Sequence, residues 1–175
     1  MTDYLNKVLK GQLEAALSML SDCVALCPPE HWDAIIGKYP FWQVAYHTVC
    51  FADLYLSSSE TVFEPRAIHP RGMQEFDDEY PSRRFEQREI VEYLAVCRAK
   101  VSACFEAETR EMLEGTSGFH RYPVSRGEMH IINIRHIQHH TAQLSASLRS
   151  IGPAFQESGV LRWARTGWRQ DALHA

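Results

Sequence analysis

Apolar positions recur at helical spacing in four separated stretches of the chain. The first, about residues 3–26, carries Leu5, Leu9, Leu13, Ala16, Leu20 and Val24 at steps of three and four, which puts them on one helix face. Pro28-Pro29 ends it, because proline lacks the backbone donor and clashes inside a helix. The second, about 40–58, opens on Pro40, a residue suited to a first turn, and runs out at Ser57, Ser58 and Ser59. The third, about 87–113, spaces Ile90, Leu94, Cys97, Val101 and Cys104 by four, three, four and three, the heptad step of a bundle seam, and closes at Gly115 and Gly118. The fourth, about 126–150, begins after Ser125 with Glu128 three residues on, a capping-box pair, and stops at Gly152-Pro153.

No stretch alternates as a strand does, and no internal repeat stands out. The pattern predicts an all-α fold, a four-helix bundle, as a single domain over residues 1–175. Residues 59–86 are too long and polar for a tight turn between neighbours, so a long crossover connection is expected between helices two and three. The tail, residues 151–175, sets Trp163 and Trp168 among Arg162, Arg165 and Arg169. It is expected to pack on the bundle, since exposed tryptophans invite association.

Composition narrows the classes. With 45% hydrophobic and 23% charged residues the chain is of the ordinary globular kind. A net charge of −4 argues against a general polyanion binder, and the basic, aromatic tail has no second basic stripe beside it, so no nucleic-acid partner is expected. No apolar run approaches the roughly 18 residues of a membrane span. Met1-Thr2-Asp3-Tyr4 places an acid where a signal peptide carries Lys or Arg, so a cytoplasmic location is expected. Cys23, Cys27, Cys50, Cys97 and Cys104 cannot all pair within one chain, contain no Cys-x-x-Cys, and fall in apolar helical patterns; they read as reduced core thiols.

Histidine changes the picture. There are nine, four of them between His130 and His140. On a helix His136 and His140 stand one turn apart, about 40° around the axis, and can share one metal ion. Met129, Ile132, Asn133, Gln143 and Leu144 fall on their face, which suggests that this face looks into the core. A third ligand has to come from another helix, and His47 is the best candidate, with Val44, Phe51 and Leu54 marking its apolar face. Three neutral imidazoles with an open position are the pattern of a catalytic rather than a structural metal site. The competing reading is three core histidines, each satisfied by a hydrogen bond.

These residues resemble the DinB-like superfamily. The matching stretches are Trp42 through His47 and the His-x-x-His-His-x-x-Gln-Leu run from His136 to Leu144. Helix order, the long second connection and chain length match as well. The resemblance implies a four-helix bundle, a divalent transition metal on His47, His136 and His140, and a homodimer. Ala142 stands where the family signature usually has Gly, a change a helix tolerates.

A metal on three neutral ligands keeps its charge and acidifies a bound water or thiol. The favoured reading is activation of a low-molecular-weight thiol for S-transfer to a small electrophile, as in thiol S-transferases of this superfamily. The alternatives are a metal-dependent hydrolase of a small molecule and a non-catalytic metal-binding or dimeric scaffold. Zinc and nickel are favoured over manganese and iron, although imidazole suits all four. Gln143 and Asn133 are candidates to support the ligands or touch substrate, as is His139 on the flank. Cys50, one turn after His47, is a further candidate, with a core thiol as the simpler reading. Spacing places no carboxylate on the histidine face, which leaves a general base unassigned and weakens the hydrolase. Ile131, Ile134 and Ile137 form a second stripe on helix four, read as either a second buried side or a dimer interface. Phosphate-loop, Rossmann, nucleophile-elbow and His-Glu-x-x-His motifs are absent.

Overall fold

A computed structural model describes residues 2–77, 81–152, 155 and 163–168. Four long helices form the bundle: α1 (Thr2–Leu26), α2 (Phe41–Tyr55), α4 (Gln87–Ala107) and α6 (Arg126–Ser150), with the short α3 (Gln74–Asp77) and α5 (Arg110–Glu114) between them. A 3-10 turn at Pro29–His31 follows α1, where Pro28 and Pro29 stop the helix as the sequence predicts. A two-stranded hairpin, β1 (Ile35–Ile36) and β2 (Tyr39–Pro40), then leads into α2. The hairpin is too short for alternation to show in the sequence; Gly37, at φ 63°, takes the left-handed conformation its turn requires.

The helices pair across the bundle rather than in sequence. α1 packs on α4 and α6, and α2 packs on the same two, so α1 and α2 lie diagonally and one seam joins α2 to α6. The main core takes Leu13, Leu17, Leu20 and Val24 from α1, Val49 from α2, Leu94 and Val101 from α4, and Ile137, Leu144 and Leu148 from α6. Leu5, assigned to the α1 stripe by spacing, is 44% exposed because it lies in the first turns, beyond the packed part of the bundle. All five cysteines are free; four are buried, and Cys104 is partly covered.

The third helix departs from the sequence reading. It ends at Ala107, and Glu108 turns to extended backbone (φ −66°, ψ 120°) before Thr109 caps the separate α5. The cause is a buried ion pair: the Glu108 carboxylate accepts from Arg126 Nε at 2.9 Å and His130 Nε2 at 3.0 Å. Arg126, 3% exposed, also donates to the carbonyls of Tyr55, Leu56 and Ser57, which closes the C-terminal end of α2. The apolar pattern continues through Leu113, which is buried, so the break leaves no mark in the hydrophobic spacing.

At α6 the capping box is present as predicted, Ser125 and Glu128 each bonding the other's backbone. The isoleucine stripe divides. Ile137 is fully buried, Ile134 is partly buried against the core, and Ile131 is 47% exposed. Of the tail, residues 163–168 fold back on α1: Gly167 N donates to Gly11 O at 2.8 Å, and Ala164 packs with Ala15 and Met19. Trp168 rests under the Arg98 guanidinium. Trp163 instead stays 73% exposed, since its neighbour Ala164 is the residue turned inward. Arg162, Arg169 and the rest of residues 153–154, 156–162 and 169–175 lie outside the described residues.

Candidate metal centre

The α2–α6 seam brings His47, His136 and His140 together. One ring nitrogen from each lies within 4.8 Å of the others, and His136 Nε2 is 3.2 Å from His47 Nε2. The ring centroids stand 4.7–5.2 Å apart. The packing of two adjacent helices produces this arrangement: His136 and His140 are one turn apart on α6, and His47 faces them from α2.

The three do not point into the core. His47 is exposed, and His136 and His140 are half-buried. The core face of α6 is instead His130, Asn133, Ile137, Thr141, Leu144 and Leu148, buried at steps of three and four. Three polar side chains in that row disguise it, so spacing alone assigned the histidine face inward. The histidines line one flank, where His47 and His140 open on a groove of about 500 Å³ and His136 lies beside them. Its walls include Val44, Phe51, Phe76 and Gln143, with Ile36 to Tyr39 of the hairpin at one side.

Electrostatics keep all three rings neutral. Although much of His47 is exposed, its ring is desolvated among Phe51, His136 and His140, and this, then the nearby His140, pulls it down to about 4. Burial, then His140, His47 and His139, pulls His136 down to about 3. Burial also lowers His140, a bond to Gln143 works against it, and His139 adds to the lowering. Neutral imidazole is the ligand form, so the donors need no deprotonation at neutral pH.

The hydrogen bonds sort the nitrogens. His140 Nδ1 lies 2.9 Å from Gln143 Oε1, an atom that only accepts, so Nδ1 carries the proton and the Nε2 lone pair is left for a ligand. Two nitrogens on one tetrahedral metal stand about 3.4 Å apart, close to the separation of His47 and His136. The donor set therefore fits a borderline divalent ion. Among the described residues the buried His136 Nδ1 has no hydrogen-bond partner, and Nε2 is the ring nitrogen that meets His47.

The other candidates fall elsewhere. Gln143 is at the site, as described. His139 is exposed and touches the cluster only through its ring, 4.9 Å from that of His140. Asn133 is buried and donates to Ala52 O at 3.2 Å, joining α6 to α2 away from the groove. Cys50 turns its sulfur to His69 Nδ1, 3.8 Å away, and burial pushes its thiol well up, so it does not join the histidines.

Two features escaped the sequence reading. One is a carboxylate in the groove wall, Glu75, contributed by the segment between α2 and α4. Its side chain is fully covered and paired with Arg71 and Ser82. The other is a second close set of donors, Cys104, Glu108 and His130. Here the Arg126 guanidinium already contacts both Glu108 and Cys104, supplying the cation that a metal would otherwise bring.

Fold and site together define a helical bundle with a candidate three-histidine metal site on one seam. The chain matches the DinB superfamily over residues 12–144, and it belongs to that superfamily. No curated protein and no solved structure matches it. Membership and the histidine cluster together fit a metal-dependent enzyme. Among the described residues no helix is long and apolar enough to cross a membrane.

Proposed function

We propose that His47, His136 and His140 hold a divalent transition metal, zinc or nickel before manganese or iron, and that the groove beside them activates a low-molecular-weight thiol for S-transfer to a small electrophile. The observation that carries this is the convergence of three neutral imidazoles at the edge of an open groove. When bound, such an ion supplies Lewis acidity that lowers the pKa of a thiol or water.

The chain's own residues do the rest. Gln143 fixes the His140 tautomer through its amide oxygen. Phe51 packs on His47 at 4.6 Å and on His136 at 5.8 Å between ring centroids, which orients both rings and excludes water from that side. Val44, Phe51 and Phe76 offer apolar wall to the carbon portion of a substrate.

Glu75 bears on the hydrolase alternative. Its carboxyl is held below the usual range: burial opposes the charge, but hydrogen bonds from Ser82 and Arg71 outweigh it. A carboxylate so engaged and covered is not placed to take a proton from water, which favours thiol activation over hydrolysis. A capped, four-coordinate structural site would need a fourth side-chain ligand, and none joins the three histidines among the described residues. Homodimerisation remains part of the proposal on family grounds, with Ile131 the exposed member of its stripe.

Elemental analysis of tag-free protein prepared without chelator tests the metal, alongside His136→Ala and His140→Ala. About one transition metal per chain in the wild type, lost in both variants, is the expected result. Turnover of a thiol with an alkylating electrophile by the loaded protein then tests the chemistry. A loaded protein that hydrolyses esters or amides and transfers no thiol would replace this reading with the hydrolase.

A further inference from the structure

Behind the groove lies a buried chain of hydrogen bonds that the proposed chemistry does not use. Tyr46 Oη is 2.7 Å from His69 Nδ1, His69 Nε2 is 2.9 Å from Tyr93 Oη, and Tyr93 Oη donates to Asp53 Oδ2 at 2.8 Å. All four residues are at most 4% exposed. Asp53 also accepts from Arg66 Nε at 2.9 Å and Lys100 Nζ at 2.6 Å. Burial opposes the Asp53 charge, but Lys100, Arg66 and Tyr93 outweigh it and lower its pKa.

The direction of the chain follows. An ionised Asp53 can only accept, so Tyr93 spends its proton there and must accept from His69 Nε2–H. His69 Nδ1 is then the acceptor, and Tyr46 donates to it. Burial pulls His69 down to about 4, so the ring is neutral and matches this single tautomer.

His69 belongs to the segment between α2 and α4 that supplies one groove wall. From His69 to Phe76 that segment is a run of tight turns: Gly72 N bonds His69 O at 3.0 Å, Glu75 N bonds Gly72 O at 3.2 Å, and Phe76 N bonds Met73 O at 3.0 Å. The His69 ring also packs directly on Phe76, 5.0 Å between centroids, and Phe76 packs edge-on against Phe51, which touches His47 and His136. A shift of His69 is thus passed to the wall by both backbone and rings.

We propose that His69 is a positioning residue for the histidine groove: fixed between Tyr46 and Tyr93, it holds Phe76 in place as the apolar wall against which a metal-bound ligand packs. This rests on the reading of the groove as a metal site. It assigns His69 no contact with the metal, so it separates loading of the ion from binding of an organic ligand beside it.

Cobalt(II) serves as the probe ion, with azide and phenylmethanethiol as small and bulky ligands followed by the cobalt d–d and thiolate charge-transfer bands. His69→Phe keeps a ring but loses both hydrogen bonds. We expect it to bind cobalt at wild-type stoichiometry and azide within about twofold, while phenylmethanethiol affinity falls about tenfold, the worth of an aromatic contact. His69→Gln, which can still donate to Tyr93, is expected to recover part of the loss. Tyr46→Phe removes one hydroxyl from the chain and gives the same test in a milder form. Hydrogen exchange at the Gly72, Glu75 and Phe76 amides is expected to quicken in His69→Phe and Tyr46→Phe. Unchanged phenylmethanethiol affinity in both variants, or loss of cobalt along with it, overturns the proposal. A wild type that takes no cobalt overturns the metal reading instead; amide exchange then decides the positioning role, and unchanged exchange overturns that too.

Discussion

Gln143 shows how much a single side chain contributes here. Its amide oxygen is the acceptor that leaves His140 Nε2 free for a ligand. Gln143→Leu removes that acceptor without removing a ligand, so metal should still bind, but with affinity lowered about 10–100-fold in a chelator competition. Glu108 carries a pH dependence. Burial raises its pKa, but bonds from His130 and Arg126 pull it down to about 2, against an ordinary 4.5. A depressed carboxylate stabilises the fold fully above pH 4.5 and loses that contribution as pH falls toward 2. His130, lowered chiefly by burial despite its bond to Glu108, adds a loss in the same direction below its ordinary value of 6.5. Chemical denaturation from pH 7 to pH 3 should therefore show falling stability, with a shallower dependence below pH 4.5 in Glu108→Gln. At this scale the sequence disclosed the three ligand candidates because two share a helix at i and i+4. It hid the Tyr46–His69–Tyr93–Asp53 chain, whose members come from three segments with no common spacing.

At the scale of elements, the helices were legible where apolar steps and caps agreed, as at Pro28-Pro29 and at Ser125 with Glu128. The break after Ala107 was not, because a polar contact between distant residues causes it while the apolar pattern runs on to Leu113. Arg126 is central to that contact and also closes α2. Arg126→Met should leave a buried carboxylate and three carbonyls short of a donor, costing about 3–5 kcal/mol in denaturant unfolding. Gly118, assigned by sequence to close the third helix, serves a different end. Gly115 caps α5, whereas Gly118, at φ 79°, passes so close to Ser58 that a Cβ there would collide with its carbonyl oxygen. Gly118→Ala should destabilise by more than about 1 kcal/mol, and the melting temperature should fall accordingly.

For the whole molecule, the spacing of apolar residues was enough to predict a helical bundle, and it left open which helices touch. The diagonal placement of α1 and α2 decides the site, since it sets α2 beside α6 and so His47 beside His136 and His140. An ion held there ties two helices of the bundle together and binds only the folded chain. Zinc or nickel at about 100 times its dissociation constant should therefore add about 2.7 kcal/mol to the stability of the wild type and leave His140→Ala unchanged. A shift in thermal midpoint read with and without chelator checks this.

The separation of 89 residues between His47 and His136 also has a temporal meaning. As the chain is synthesised, the donor set stays incomplete until the last long helix has emerged and docked. A nascent or truncated chain holding only α1, α2 and α4 presents one of the three imidazoles. Capture of an ion by all three proposed ligands would therefore follow the docking of α6 and play no part in nucleating the bundle.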